Sequence, residues 1–328
     1  MKYTSYKRKD SGTTSLNICT WNVGGLIKDG KNKLNDHSFL TQINRYDIVL
    51  LSETHIGYDS AVESDKFYYY PFCRQKSNNN RYFGGLTILI DNGIKQGVAI
   101  LQDGNSEYQW VKLQKIFFNL KKDIFLCFAY IASQSSPFLL KENINIIESI
   151  EHDIVNKYSS KGDIILCGDL NARLGKENYY IPLNSVFHIP VSNECYDIDI
   201  AVYDRNSQDT IVDARGRDII DICIGNKLRI LNGRTLGDSK GKYTCYKPVG
   251  CSVIYYFIVS ESLMSQILYM TVSDFITDFS DCHCKLSLKL LASFERKKVT
   301  QNLRDMPCRY IWTEQSHIAF QTHSSNNL

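Results

Sequence analysis

Apolar residues recur along this chain in two rhythms, and the switching between them sets the architecture to expect. Leu16-Asn17-Ile18-Cys19-Thr20-Trp21-Asn22 alternates apolar and polar side chains as a half-buried strand does, and Val23-Gly24-Gly25-Leu26 turns the chain straight afterwards. Within 34–46 the residues Phe39, Leu40 and Ile43 fall at helical spacing. The run Asp47-Ile48-Val49-Leu50-Leu51 then reads as a central strand, closed by Ser52-Glu53-Thr54-His55. Four more strands are expected over 68–75, 86–90, 110–118 and 124–130, separated by Gly, Asn and Asp. After a loop at 132–137, the recurrence of Ile144, Ile146, Ile147, Ile150 and Ile154 predicts a long amphipathic helix over 138–158. It delivers the chain into Asp163-Ile164-Ile165-Leu166-Cys167, a buried strand that Gly168 allows to turn.

The remainder repeats the scheme. A Tyr- and Asn-rich stretch, 174–210, is weakly periodic and reads as a functional or mobile surface loop. Ile219, Ile220, Ile222 and Cys223 give a second amphipathic helix over 213–228, and strands are expected at 229–232, 242–246, 252–260, 268–272 and 283–290. Two rounds of strands, each interrupted by a helix, predict an α/β fold: two facing mixed sheets with helices outside, a four-layer α-β-β-α sandwich. Asn22, Glu53, Tyr130, Asp169, Asn171 and the Asp281-Cys282-His283 segment all fall at strand ends or in the adjoining loops. Polar residues gathered on one rim suit a metal-dependent hydrolase. Asp169 offers a carboxylate that can take a proton from water, and Asn171 an amide that can hold that water. The same spelling also suits an Asx turn.

Composition narrows the field without deciding it. At 328 residues, 43% hydrophobic and 22% charged, the chain is long enough for a substantial core and ordinary enough to exclude fibrous and repeat classes. A net charge of +3 does not announce a nucleic-acid partner. Basic residues do cluster at Arg215, Arg217, Lys227, Arg229, Arg234, Lys240, Lys242 and Lys247, which reads as a solvated face. The 11 cysteines follow a polar, basic N-terminus, so they are expected as thiols in a reducing compartment, with Cys19, Cys127 and Cys167 buried in strands. Cys282-His283-Cys284 lacks a second Cys/His pair at ligand spacing, which argues against a structural zinc site. No run is apolar enough to span a bilayer, and no membrane partner is expected. The expected organisation is a disordered lead-in, 1–15, a domain over 16–291, and a tail, 292–328.

Taken together, the pieces Thr20-Trp21-Asn22, Ser52-Glu53-Thr54-His55, Ala129-Tyr130, Gly168-Asp169-Leu170-Asn171-Ala172-Arg173, Leu231-Asn232-Gly233-Arg234-Thr235, Ser252-Val253-Ile254 and Ser280-Asp281 resemble the endonuclease/exonuclease/phosphatase superfamily, in order. Within it they are most similar to the endonucleases of non-LTR retrotransposons. The resemblance implies a Mg²⁺-dependent enzyme, Mn²⁺ being an alternative, that nicks DNA as a monomer in the nucleus or cytoplasm. Glu53 would be the main metal ligand, with Asn22 placing metal or phosphate and Asp281 adding a second carboxylate. Asp169 and Asn171 would orient and deprotonate water, Tyr130 would donate to phosphoryl oxygens, and His283 would contact the phosphate. Arg173 and Arg205 are candidate phosphate contacts beside the plainer reading of solvated arginines, and His55 and His188 are read as bystanders. Pro307-Cys308-Arg309-Tyr310-Ile311-Trp312 resembles the start of a linker towards a reverse transcriptase, which implies a truncated element product or a captured fragment.

Two departures imply impairment. Where the family continues Ser-Val-Ile with the Asp that orients the catalytic His and favours its protonated form, this chain has Tyr255, which is not expected to do that at neutral pH. Cys282 also separates Asp281 from His283, which the family keeps adjacent. The other classes to weigh are a phosphatase acting on phosphorylated lipids or small molecules and a catalytically silent nucleic-acid-binding remnant.

Overall fold

The computed structural model describes residues 13–28, 30–58, 64–76, 82–133, 136, 138, 145–180 and 205–296. Numbered along the chain, one six-stranded sheet has the order β15 (Ile267–Val272), β16 (Leu286–Phe294), β1 (Thr13–Asn22), β4 (Ile48–Ser52), β6 (Leu86–Asp91) and β5 (Phe67–Phe72). The other runs β11 (Leu228–Ile230), β14 (Tyr255–Ser260), β10 (Gly162–Asp169), β9 (Asp123–Tyr130), β8 (Tyr108–Leu113) and β7 (Val98–Gly104). Two short hairpins, β2 (Ile27–Lys28) with β3 (Lys31–Asn32) and β12 (Cys245–Lys247) with β13 (Gly250–Ser252), complete the strands among the described residues. Among the described residues the α-helices are α1 (His37–Ile43), the single turn α2 (Lys115–Phe118), α3 (Ile146–Asp153) and α4 (Ala214–Gly225).

The two-residue period of each strand divides its side chains between two cores. In β1, Leu16 and Ile18 enter the central core between the sheets, while Cys19 and Trp21 turn outward onto Phe39 and Ile43 of α1. In β10, Ile165 and Cys167 face the centre, and Ile164 and Leu166 pack under Ile150 of α3 and Ile219 of α4. This is the expected α/β sandwich, with α1 outside one sheet and α3 and α4 outside the other. Full burial of each such aliphatic contributes about 2 kcal/mol. The helices start where the sequence caps them: Asp36 accepts from the Ser38 and Phe39 amides at 2.7 and 3.1 Å, and Asp213 from the Gly216 amide at 2.7 Å.

Strand direction then builds one rim. β1 and β4 run parallel and end together, Asn22 opposite Ser52; β9 and β10 do the same, Tyr130 opposite Asp169. Antiparallel β14 begins where they end, with Tyr255 opposite Asp169. Alternation puts Asn22, Tyr130, Asp169 and Tyr255 on the faces that look into the gap between the sheets.

Several elements differ from the sequence reading. β1 begins at Thr13, inside the expected lead-in, whose residues 1–12 lie outside the described residues, and β16 continues past 291 to Phe294. The strand expected over 110–118 stops at Leu113, because a helical turn lets Phe118 reach the central core beside Phe294. β7 went unread: it is an edge strand with a register shift between Ile100 and Gly104, and its alternation is broken by Gln and Asp. The helix expected over 138–158 is seen as α3 followed by a π-helical turn, Ile154–Tyr158; Ile144 lies outside the described residues, as do 181–204 of the long loop and all of 297–328 with its linker-like segment. Gly168 does not turn the chain. It sits inside β10 at φ +121°, where a Cβ would fall 2.1 Å from the Ala129 carbonyl oxygen, so glycine permits close approach to β9. Among the described residues, no helix is long and apolar enough to cross a membrane.

Candidate active site

At the rim, a single amide joins the two sheets. Asn22, ending β1, donates through Nδ2 to Glu53 Oε1 at 2.9 Å and to Asp169 Oδ2 at 3.2 Å, while its Oδ1 accepts the Gly24 N–H at 3.1 Å. The last contact fixes which way the amide faces. Glu53 follows β4 in the left-handed region at φ 50°, as does His55 at φ 54°. That conformation is costly for residues with a Cβ and is held here by backbone bonds from Thr54 and His55 to Gly85 and Gly84. It leaves the Glu53 carboxylate partly exposed at the mouth, whereas Asp169 is completely buried. Burial pushes the Asp169 carboxyl up to about 6, and the Glu53 charge adds to this against the pull of His283, Tyr255 and Asn22. Tyr130 is held as a neutral phenol by burial and by the negative charges of Glu53 and Asp169.

His283 is reached through Tyr255. The Tyr255 hydroxyl donates to Asp169 Oδ2 at 2.7 Å and is hydrogen-bonded to His283 Nδ1, and Cys282 Sγ lies 3.2 Å from the other ring nitrogen, Nε2. Both imidazole nitrogens are therefore engaged. Although burial opposes it, the Cys282 thiol and the Asp169 and Glu53 charges hold the imidazole above its ordinary pKa. Burial also keeps Tyr255 neutral. The expectation that Tyr255 could not serve His283 needs correction: it supplies no charge of its own, but it links the imidazole to the Asp169 carboxylate by hydrogen bonds. Nor does Cys282 expel the ring; it places a thiol on it. The segment is stitched to β1, since Trp21 Nε1 donates to the His283 carbonyl at 3.2 Å and Ser280 Oγ donates to the Asn22 carbonyl at 2.9 Å and accepts the His283 amide.

The remaining candidates divide. Asp281 is exposed and stands against Gly24, where a Cβ would lie 3.0 Å from its Oδ2, and its charge reaches His55. Asn171 forms the Asx turn, its N–H donating to Asp169 Oδ1 at 3.1 Å, while its side-chain nitrogen donates to the Ile131 carbonyl at 2.9 Å. It orients Asp169 more directly than it could orient water. Arg173 is only partly exposed and is paired: its fork grips Asp209 at 2.8 and 2.6 Å, and Asp209 in turn accepts the Val253 amide leading into Tyr255. Arg205 donates to the Gly175 carbonyl at 2.6 Å and lies over Tyr179 of the outer core. His55 is no distant bystander, its Nε2 being 3.7 Å from Glu53 Oε2, and burial draws it below its ordinary value; His188 lies outside the described residues.

The basic cluster is also not one solvated face. Buried Arg215 donates to the Ala132 and Asn171 carbonyls, clamping the loops after β9 and β10, and Arg229 is buried beside Glu261 at 3.3 Å. Sequence reasoning missed Arg74, whose guanidinium pairs with buried Glu107 and lies 5.3 Å from the Tyr130 ring centre. Its partner is 33 residues away, beyond any local signal.

The model of the Endonuclease/Exonuclease/phosphatase family matches residues 19–226. This chain belongs to that family. Members of the endonuclease/exonuclease/phosphatase family are metal-dependent hydrolases of phosphate esters. Among solved structures, the AP endonuclease LMAP from Leishmania major is 16% identical with a TM-score of 0.59, covering 85% of this chain and 88% of that one. The endonuclease domain of TRAS1, a telomere-specific non-LTR retrotransposon, is 13% identical at a TM-score of 0.51, covering 84% of this chain and 98% of that one. A 3′ phosphatase, NExo from Neisseria, bound to a product DNA hairpin, is 14% identical at 0.52, covering 84% and 99%. At these identities the likeness is one of fold. No curated protein matches the chain.

The donor set fits the cation such a family uses. Glu53, Asp169 and exposed Asp281 offer only oxygen, the preference of a hard divalent ion, and two carboxylates held on one amide repel each other until a cation arrives. Asn22 serves here as the organiser of those carboxylates, with both ends of its amide engaged.

Proposed function

We propose that this chain is a Mg²⁺-dependent phosphodiesterase that nicks DNA, and that it does so slowly. The observation that carries the reading is the Asn22 amide holding Glu53 and Asp169 together across the two sheets, beside Tyr130. Glu53 would hold Mg²⁺, with Asp281 at the lip. The bound ion would supply charge neutralisation at the phosphate. Asp169, held by the Asn22 amide and the Tyr255 hydroxyl, accepts the proton of attacking water. Tyr130, kept neutral, donates to a phosphoryl oxygen as charge builds there.

The slow rate follows from His283. Contact with phosphate requires its Nε2 to leave Cys282 or its Nδ1 to leave Tyr255. Loss of one such electrostatic partner costs about 10² to 10⁴ in rate. DNA is favoured as substrate by the three structural neighbours, two of which are endonucleases and one a DNA-bound phosphatase. The test incubates the protein in Mg²⁺ with supercoiled plasmid and, separately, with a soluble phosphomonoester. Conversion of plasmid to the nicked circle is expected. Turnover of the monoester alone would make it a phosphatase, and plasmid binding without either reaction would make it a silent binder.

A further inference from the structure

We propose that Cys245, Cys282 and His283 form a zinc-binding site, chemically distinct from the oxygen-lined mouth and independent of whether that mouth hydrolyses DNA. Cys245 Sγ lies 3.5 Å from Cys282 Sγ, and Cys282 Sγ lies 3.2 Å from His283 Nε2. All three donor atoms fall within 4.8 Å of one another. Zinc binds thiolate at about 2.3 Å and imidazole at about 2.0 Å, so tetrahedral coordination asks for sulfur–sulfur and sulfur–nitrogen separations of about 3.7 and 3.5 Å. The Cys245–Cys282 and Cys282–His283 separations each lie within about 0.3 Å of that geometry. Two sulfurs and a nitrogen form a soft donor set, which selects zinc over magnesium.

Backbone structure brings these donors together before any ion does. Cys245 and His283 face each other in an antiparallel bridge, secured by the Tyr246 amide on the Cys282 carbonyl at 2.8 Å and the Cys284 amide on the Thr244 carbonyl at 2.9 Å. The second coordination shell is also present. A zinc-bound histidine ordinarily gives its other ring N–H to an acceptor that fixes its tautomer, and His283 Nδ1 meets the Tyr255 hydroxyl, itself bound to Asp169. Sequence spacing argued against zinc because it sought a second pair near Cys282-His283-Cys284. The third donor instead arrives from 37 residues upstream through the fold, and Cys284 is not part of the group. Three protein ligands leave the fourth position to water. Binding displaces the thiol protons to solvent and occupies His283 Nε2, so zinc would withdraw the imidazole from the mouth.

Cobalt(II) is the probe, added to the full chain stripped of metal and kept under a phosphine reductant. A thiolate-to-cobalt charge-transfer band should rise to saturation at one equivalent, disappear on adding Zn²⁺ and resist excess Mg²⁺. Cys245→Ser and Cys282→Ser should each lose the band, whereas Glu53→Gln should keep it. Tyr255→Phe retains every ligand and removes only the outer bond, so it should weaken cobalt affinity by about 10- to 100-fold even if a serine variant fails to fold. Absence of the band, its survival in both serine variants, or unchanged affinity in Tyr255→Phe would overturn the assignment.

Discussion

Tyr255 places a neutral hydroxyl between Asp169 and His283, so the carboxylate's charge reaches the imidazole through an intervening oxygen. Tyr255→Asp would put a charged acceptor within the same strand register and clear the bulk of a phenol from the ring. Single-turnover nicking should then rise by about 100-fold, the scale of a restored acid–base partner. An unchanged rate would mean that His283 does not limit the reaction. Asp169 gives a second expectation at this scale. Its folded value of about 6 exceeds the ordinary 3.8, so the folded protein keeps a proton that the unfolded chain releases. The resulting stabilisation is complete below pH 3.8 and lost as pH rises through about 6. In chelator, the urea midpoint of the parent should therefore fall relative to Asp169→Asn over that interval; a parallel pH dependence would refute the burial argument. Which residues could be read in advance follows from distance along the chain. Asn22, Glu53 and Asp169 each end a recognisable apolar run. Cys245 and Arg74 find their partners only after folding, and sequence carried no trace of those pairings; the resemblance placed position 255 beside the catalytic His, but not the bond of its hydroxyl to Asp169.

Elements were legible where the period was long and unbroken. β1, β4, β9 and β10 show it, because their alternating or continuous apolar runs fill cores on both faces. The edge strand β7 and the helical turn α2 were not, since one has a broken alternation and the other owes its form to Phe118 reaching the central core. Gly168 shows how an element serves the site. Its missing side chain lets β10 approach β9, and that register sets Asp169 opposite Tyr130. Gly168→Ala places a carbon on the Ala129 carbonyl oxygen and forces alanine into a positive φ, which together should cost about 3 kcal/mol. Urea denaturation measures this directly, and a cost below about 1 kcal/mol would show that the strands can part without penalty.

At the scale of the whole molecule, the sandwich turns two parallel strand pairs into one mouth: both pairs end on the same rim, and the central core behind them keeps their polar ends at fixed separation. Family membership and architecture were both within reach of the sequence, because the motifs recur in order at successive strand ends. What stayed out of reach was the traffic between segments, such as Arg173 turning to Asp209 and Cys245 crossing to Cys282. The most direct measurement is plasmid nicking by the parent and by Glu53→Gln across a Mg²⁺ titration, with protein in excess of plasmid. The parent should nick only when Mg²⁺ is present, and Glu53→Gln should lose about 100-fold or more of that activity at every concentration. Equal nicking by the two proteins, or nicking that survives removal of the cation, would contradict a hydrolytic centre built on Glu53 and Asp169.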